Sequence, residues 1–295
     1  MHHKSCYSRD HSLIGEVVPP LNPILNVFLL SLVAGLATGL GGLLAIVRKP
    51  GQMLFGFLMG FASGVMISLS FLELVNHAWE HGGYQLATVG FGVGALFMFA
   101  IDFVTPHIRF GVTEDRSEAA AAEDLSSCQE GRRFRRRRRT RGEPMDRRLV
   151  QSGLLIAIGI TIHNLPEGIA VGAGFMAQPR FGALIALAIA LHNIPEGIAT
   201  ALPLCQGGMC KRDSFLIALF SGLVEPIGAV LAATVLGSLR SLVPAALAFA
   251  GGVMVFITLD ELVPTAREHG HHHATALGII LGSVLFFWLS GTFGM

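Results

Sequence analysis

The chain has 295 residues; 52% are hydrophobic, 14% are charged, and the formal net charge is +1. Soluble domains carry about a quarter charged residues. Here long apolar runs alternate with short polar punctuation, which excludes a globule around one core and predicts an all-α, multi-pass membrane protein.

The N-terminal stretch 1–23, opening MHHKSCYSRDH, is polar and lacks the long apolar core of a cleavable signal peptide, so the first span is expected to insert as its own signal. The four cysteines form neither a CxxC pair nor a disulfide framework. A spanning helix needs about 20 apolar residues. Eight runs qualify: 24–47, 53–76, 84–108, 149–176, 181–204, 214–238, 241–265 and 274–294. The chain thus divides into a tail (1–23), spans one to three (24–110), a hydrophilic loop (111–148), spans four and five (149–205) and spans six to eight (206–295).

The loop 111–148 holds eleven arginines and eight acidic residues. It reads as a solvated, disordered linker with some affinity for anionic headgroups. A single aromatic residue, Phe134, and no folded motif accompany the arginines, so nucleic-acid binding is not expected. With both termini outside, 17 of the 21 Lys and Arg residues fall inside, leaving Lys4, Arg9, Arg180 and Arg240 outside. The positive-inside rule therefore makes the loop cytoplasmic.

Two internal repeats follow. HNLPEGIA at 163–170 returns as HNIPEGIA at 192–199, with seven of eight positions identical. Segment 61–82 aligns without a gap to 249–270, with 12 of 22 positions identical, including Glu73 with Glu261 and His81 with His269. Span two thus corresponds to span seven and span four to span five. In this topology the members of each pair run in opposite directions, the inverted-repeat arrangement of secondary transporters.

Seven acids lie inside the spans: Glu73, Asp102, Glu167, Glu196, Glu225, Asp260 and Glu261, with no lysine or arginine in the apolar interiors. A charge at the bilayer centre costs about 3 kcal/mol or more and normally finds a partner. Either these acids stay protonated or a cation comes to them. His163 and Glu167 are four apart and share a helix face, as do His192 and Glu196 on the next span. Facing helices would bring two imidazoles and two carboxylates together, donors that suit zinc and neighbouring transition metals better than magnesium or calcium. Asn164 and Asn193, about 100° further round their helices, can offer carbonyl oxygens to an adjacent position, with Glu225 adding a carboxylate from span six. Pro166, Pro195 and Pro226 would free the carbonyls of Ile162, Leu191 and Gly222. Gly168 and Gly197 allow close helix approach.

Paired HNxPEG motifs on the fourth and fifth of eight spans, a glycine-rich span two matched by span seven, and Glu-Pro on span six resemble the ZIP (ZRT/IRT-like) family of divalent metal transporters. The likeness is to its bacterial zinc-importer branch and covers roughly 24–108 and 149–294. The resemblance implies eight helices in a 3+2+3 arrangement with both termini outside, and one helix group sliding against the other. It implies import of zinc, with cadmium, iron, manganese and cobalt as further substrates, across a bacterial inner membrane, and a homodimer. A first metal site would use His163, Glu167, His192 and Glu196; a second would use Asn164, Glu167, Asn193, Glu196 and Glu225.

The family's loop before span four is often histidine-rich; here it has none, and His269, His271, His272 and His273 stand as the substitute, against the alternative of a solvated histidine tract. Glu73, Asp260 and Glu261 are pathway candidates, against helix-packing hydrogen bonds. Asp102 with His107 reads as an interfacial pair, and His77 with His81 as an exposed outer rim. A membrane metal-dependent hydrolase using the same cluster is the alternative function; the HExxH signature such enzymes usually show is absent.

Overall fold

The computed structural model describes residues 22–104, 146–269 and 272–295; the side chains of Val104, Arg148 and His269 are not described. The N-terminal tail, most of the arginine-rich loop, His107 and His271 lie outside the described residues.

Every described element is a helix. α1 spans Pro23–Val47, and α2 (Gln52–Ser68) continues through a π-helical turn, Leu69–Val75, into α3 (Asn76–Val104). Next come α4 (Arg147–Ala177), α5 (Pro179–Gln206), α6 (Lys211–Gly222) and α7 (Glu225–Ser238). α8 (Val243–Ile257) passes through a second π turn, Thr258–Leu262, into α9 (Val263–His269), and α10 is His272–Phe293. Seven helical stretches are long and apolar enough to cross a membrane. Large apolar side chains such as Val33, Val89, Phe103 and Trp288 stand exposed around the bundle, as lipid contact requires.

The longest stretch, Gln52–Phe103, is not straight. Gly83 has φ 81° and ψ 160°, a conformation glycine adopts readily and other residues do not. Beyond it the chain turns back. The rings of Phe71 and Phe91 lie 5.8 Å apart, whereas twenty residues of straight helix would separate them by about 30 Å. The helix outlasts the expected end of span two at residue 76, because Asn76, His77, Glu80 and His81 support one another across a turn: the Asn76 amide donates to Glu80 at 3.2 Å, and His81 Nδ1 lies 3.0 Å from the His77 carbonyl. Pro166 and Pro195 are absorbed inside continuous helices. Pro226 is not a kink within a continuous span: the helix breaks at Leu223–Val224, and the proline occupies the first turn of α7, where its missing N–H is not needed.

The helices pack in two groups, α1 with α4 to α7, and α2, α3 with α8 to α10. Within each group small residues let backbones touch. Gly41 lies against the Ile194 carbonyl, Gly197 against that of Thr38, Gly168 against that of Glu225, Gly64 against that of Ile279 and Gly252 against that of Phe91. Among the described residues, each glycine packed against another helix meets a helix of its own group. Contacts between the groups are made by side chains, such as His163 with Glu261 and the His77 ring stacked on Phe181 at 4.8 Å.

The contacts repeat with the sequence. In the second group residue n corresponds to n + 188 (249 − 61): Gly64 on Ile279 is mirrored by Gly252 on Phe91, and Gly94 on Phe249 by Gly282 on Phe61. The two π turns occupy matching places and carry the matching Glu73 and Glu261. In the first group α4 maps onto α5 at an offset of 29 (192 − 163), and α1 onto α6–α7 at 187 (228 − 41). Gly41 on Ile194 is mirrored there by Gly228 on Leu165. Each repeat pair is contained within one packing group.

Candidate metal centre

α4 and α5 cross at their Pro-Glu-Gly segments because Gly168 and Gly197 leave no side chain in the way of α7 and α1. Glu167, His192 and Glu196 each place a ligand atom within 4.8 Å of the others, and all three residues are buried. His192 Nε2 is 3.1 Å from Glu167 Oε1, and Nδ1 of the same ring is 3.2 Å from the Ala188 carbonyl, so both ends of the ring are fixed. A ring nitrogen tied to a backbone carbonyl, leaving the other free to act as ligand, is the arrangement that orients metal-ligating histidines.

His163, expected in the same cluster, is turned away from it: its Nδ1 is 3.4 Å from Glu261 Oε2, across the boundary between the helix groups. It remains only 3% exposed and lines the cavity beside the cluster. Three of the four expected first-site residues thus converge, and the fourth, His163, faces Glu261 instead.

The asparagines are aimed by their amides. Asn164 Nδ2 donates to the Ser221 carbonyl at 2.8 Å; Asn193 Nδ2 donates to the Ala34 carbonyl at 2.9 Å and to Glu225 Oε1. A backbone carbonyl can only accept, so both side-chain carbonyl oxygens must face the other way. There they meet no donor. Among the described residues six buried side-chain oxygens lack any hydrogen-bond partner: Asn164 Oδ1, Asn193 Oδ1, Glu167 Oε2, Glu196 Oε2, Glu225 Oε2 and Thr38 Oγ1. Buried oxygens without donors are costly, on the order of 1–3 kcal/mol each. Five of the six belong to the expected second site, and a cation of charge two would satisfy them together.

On one side the cluster opens into a cavity of about 250 Å³, whose polar wall is Asp102, His163, Glu196, Asp260, Glu261 and Glu268. The cavity extends toward the ends of α3 and α9, the end of the bundle where Arg48, Lys49, Arg147, Lys211, Arg212 and Arg267 also lie. Asp102 lines this cavity; its expected partner His107 lies outside the described residues. Asp260 and Glu261 line it as well. Glu73 does not: it is buried and accepts a short hydrogen bond from the Ser290 hydroxyl. His272 and His273 are exposed at the start of α10. His81 is exposed as expected, whereas His77 is half-buried, its ring 4.0 Å from His81 and packed on Phe181. Thr38 was missed, because a lone threonine in a glycine-rich span carries no sequence signal.

Comparison with known proteins places these features. The family model for the ZIP zinc transporter matches residues 23–290. The zinc transporter ZupT of Akkermansia muciniphila is 37% identical over 273 residues, covering 89% of this chain and 95% of that protein. ZupT of Nitratidesulfovibrio vulgaris is 38% identical over 276 residues, covering 88% and 94%. The zinc transporter ZTP29 of Arabidopsis thaliana is 37% identical over 258 residues, covering 86% and 89%.

Proposed function

The chain belongs to the ZIP zinc transporter family, and from that premise we propose that it carries zinc across a membrane through the buried oxygen and imidazole cluster between α4 and α5. It is a transporter and not an enzyme; the hydrolase alternative finds no counterpart among relatives named as zinc transporters. The observation that carries the site assignment is the set of buried, donorless oxygens on Asn164, Glu167, Asn193, Glu196 and Glu225. A divalent cation supplies what all five lack.

His163, Glu167, His192 and Glu196 form the first position, with His163 swinging in from Glu261. Asn164, Glu167, Asn193, Glu196 and Glu225 form the second, the two glutamates bridging. Nitrogen and oxygen donors of this kind suit zinc and also accept cadmium, iron, manganese and cobalt. Binding releases protons, because ligands must be deprotonated.

The reversal at Gly83 splits Gln52–Phe103 and so supports a count of eight spans with both termini on one side; we take these in the 3+2+3 arrangement and, from the distribution of basic residues, put the termini outside. The cavity then opens to the cytoplasm, on the side where the basic residues gather. Asp102, Asp260 and Glu261 lead the ion out; His272 and His273 stand at the same inner end. The side-chain boundary between two glycine-locked groups supports one group sliding on the other as access alternates. The likeness to bacterial relatives supports a bacterial membrane, and we take that to be the inner membrane and the protein to act as a homodimer.

Reconstitution in proteoliposomes tests the reading. Zinc influx is expected to fall at least tenfold in E167Q and in E196Q, with both variants still inserting. Normal influx in either variant overturns the site assignment.

A further inference from the structure

We propose that the Thr38 hydroxyl is an additional oxygen donor of the second cation position, the neutral counterpart of Glu225. The inference rests on the zinc-site reading above and extends it to α1. Thr38 is 0% exposed, and its hydroxyl has no hydrogen-bond partner. That is unusual for this chain. Ser31, Ser63, Ser70, Thr161, Thr200 and Thr258 each donate to the carbonyl four residues earlier. For Thr38 that carbonyl is Ala34, which Asn193 already engages.

The repeat identifies what Thr38 stands for. Asn193 on Ala34 is the mirror of Asn164 on Ser221 (34 + 187 = 221), and Gly197 on Thr38 is the mirror of Gly168 on Glu225 (38 + 187 = 225). The cation position is therefore flanked by three mirrored pairs: Asn164 with Asn193, Glu167 with Glu196, and Thr38 with Glu225. Thr38 Oγ1 faces Gly222 across the junction where α6 breaks into α7, and Glu225 packs against Gly35, one turn from Thr38 on the same helix. A hydroxyl in place of a carboxylate keeps an oxygen on that side of the ion without a fourth negative charge.

T38V removes the hydroxyl and keeps the shape; T38S keeps the hydroxyl. Zinc affinity and stoichiometry of the purified, detergent-solubilised proteins would be measured by calorimetry, with melting in chelator as the folding control. T38V is expected to weaken zinc binding at least fivefold, with T38S within twofold of wild type. Wild-type affinity in T38V overturns the proposal. So does equal weakening in both variants, which would assign the effect to packing. Should wild type bind no zinc, or E196Q bind it normally, the zinc-site reading fails instead.

Different contacts carry a second inference. Glu261 on its π turn pairs with His163 beside Asp102, and the mirror residues are Glu73, His192 and Ser290 (261 − 188, 163 + 29, 102 + 188). At present Glu73 is held by Ser290 and His192 by Glu167. We infer that when access reverses, Glu73 leaves Ser290 to pair with His192 at the outer mouth, while His163 turns onto Glu196. Each histidine then alternates between the cluster and the π-turn glutamate of whichever side is open.

Labelling of a cysteine at the cavity mouth, T265C in a chain whose native cysteines are serine, reports the inward-open state. S290A frees Glu73 and is expected to lower labelling severalfold, with S290T restoring it and E73Q/S290A abolishing the effect. Unchanged labelling in S290A, or a drop that persists in E73Q/S290A, overturns the exchange.

Discussion

Asn193 is the residue at which site geometry and stability are most closely joined, and the isosteric change N193D separates them. The substitution exchanges an N–H₂ for an oxygen and alters no packing. It removes the donors to the Ala34 carbonyl, at 2.9 Å, and to Glu225. Each buried hydrogen bond lost with its partner left behind costs about 1–3 kcal/mol, so the pair amounts to about 2–6 kcal/mol. Two details set where in that range the cost falls. The Thr38 hydroxyl can rotate onto the Ala34 carbonyl and recover part of one bond. Against that, a new carboxylate faces Glu225, and like charges in a buried site repel. A net cost of about 3 kcal/mol in the metal-free protein follows, on the order of 5–10 °C in melting temperature.

Zinc reverses the balance, because the added charge strengthens the site for a divalent ion. Saturation at a hundredfold excess over Kd stabilises a protein by about 2.7 kcal/mol, and a tighter site gains more. Melting of wild type and N193D, each in chelator and in zinc, checks this. N193D is expected to melt lower in chelator and to gain more from zinc. N164D loses a single donor, to Ser221 at 2.8 Å, and is expected to fall about half as far. If N193D melted as wild type does in chelator, or fell equally with and without zinc, Asn193 would not be the cation-facing amide described here.

Three further outcomes follow from single positions. G197A places a methyl group on the Thr38 carbonyl, with the Thr38 carbonyl carbon at 2.8 Å and the Gly42 nitrogen at 2.9 Å; backbone cannot step aside, so a loss of about 1–3 kcal/mol is expected in melting and in folded yield, whereas G92A, with open space around it, serves as the neutral control. E261Q weakens the hold on the ion along the inner cavity and leaves Glu167, His192 and Glu196 intact; a several-fold fall in maximal zinc influx with little change in KM is expected from uptake kinetics. G83A meets no atom within 4 Å, so its cost, about 1–3 kcal/mol, is purely conformational and checks by thermal melting that the reversal between α2 and α3 depends on φ +81°.

The sequence alone determined whatever depends on residue type and local spacing. Eight apolar runs, one polar loop and the segregation of basic residues follow from the bilayer's thickness and surface charge. The paired HNxPEG motifs place histidine and glutamate on one face of a helix, because four residues make about one turn. The repeats near 61 and 249 announced mirrored helices, since twelve shared identities survive there.

Tertiary structure decided what depends on which side chains meet across helices. His163 and His192 are interchangeable letters, yet one faces Glu261 and the other Glu167, because the two helices meet different neighbours in the folded chain. Asp102 lies beyond the region of high identity, and its correspondence with Ser290 is fixed by the backbone register of Gly94 on Phe249 and Gly282 on Phe61. Thr38 and Glu225 share neither size nor charge. Only the folded chain makes them equivalent, because glycine contacts set the helix register while the side chains at mirrored positions were free to diverge.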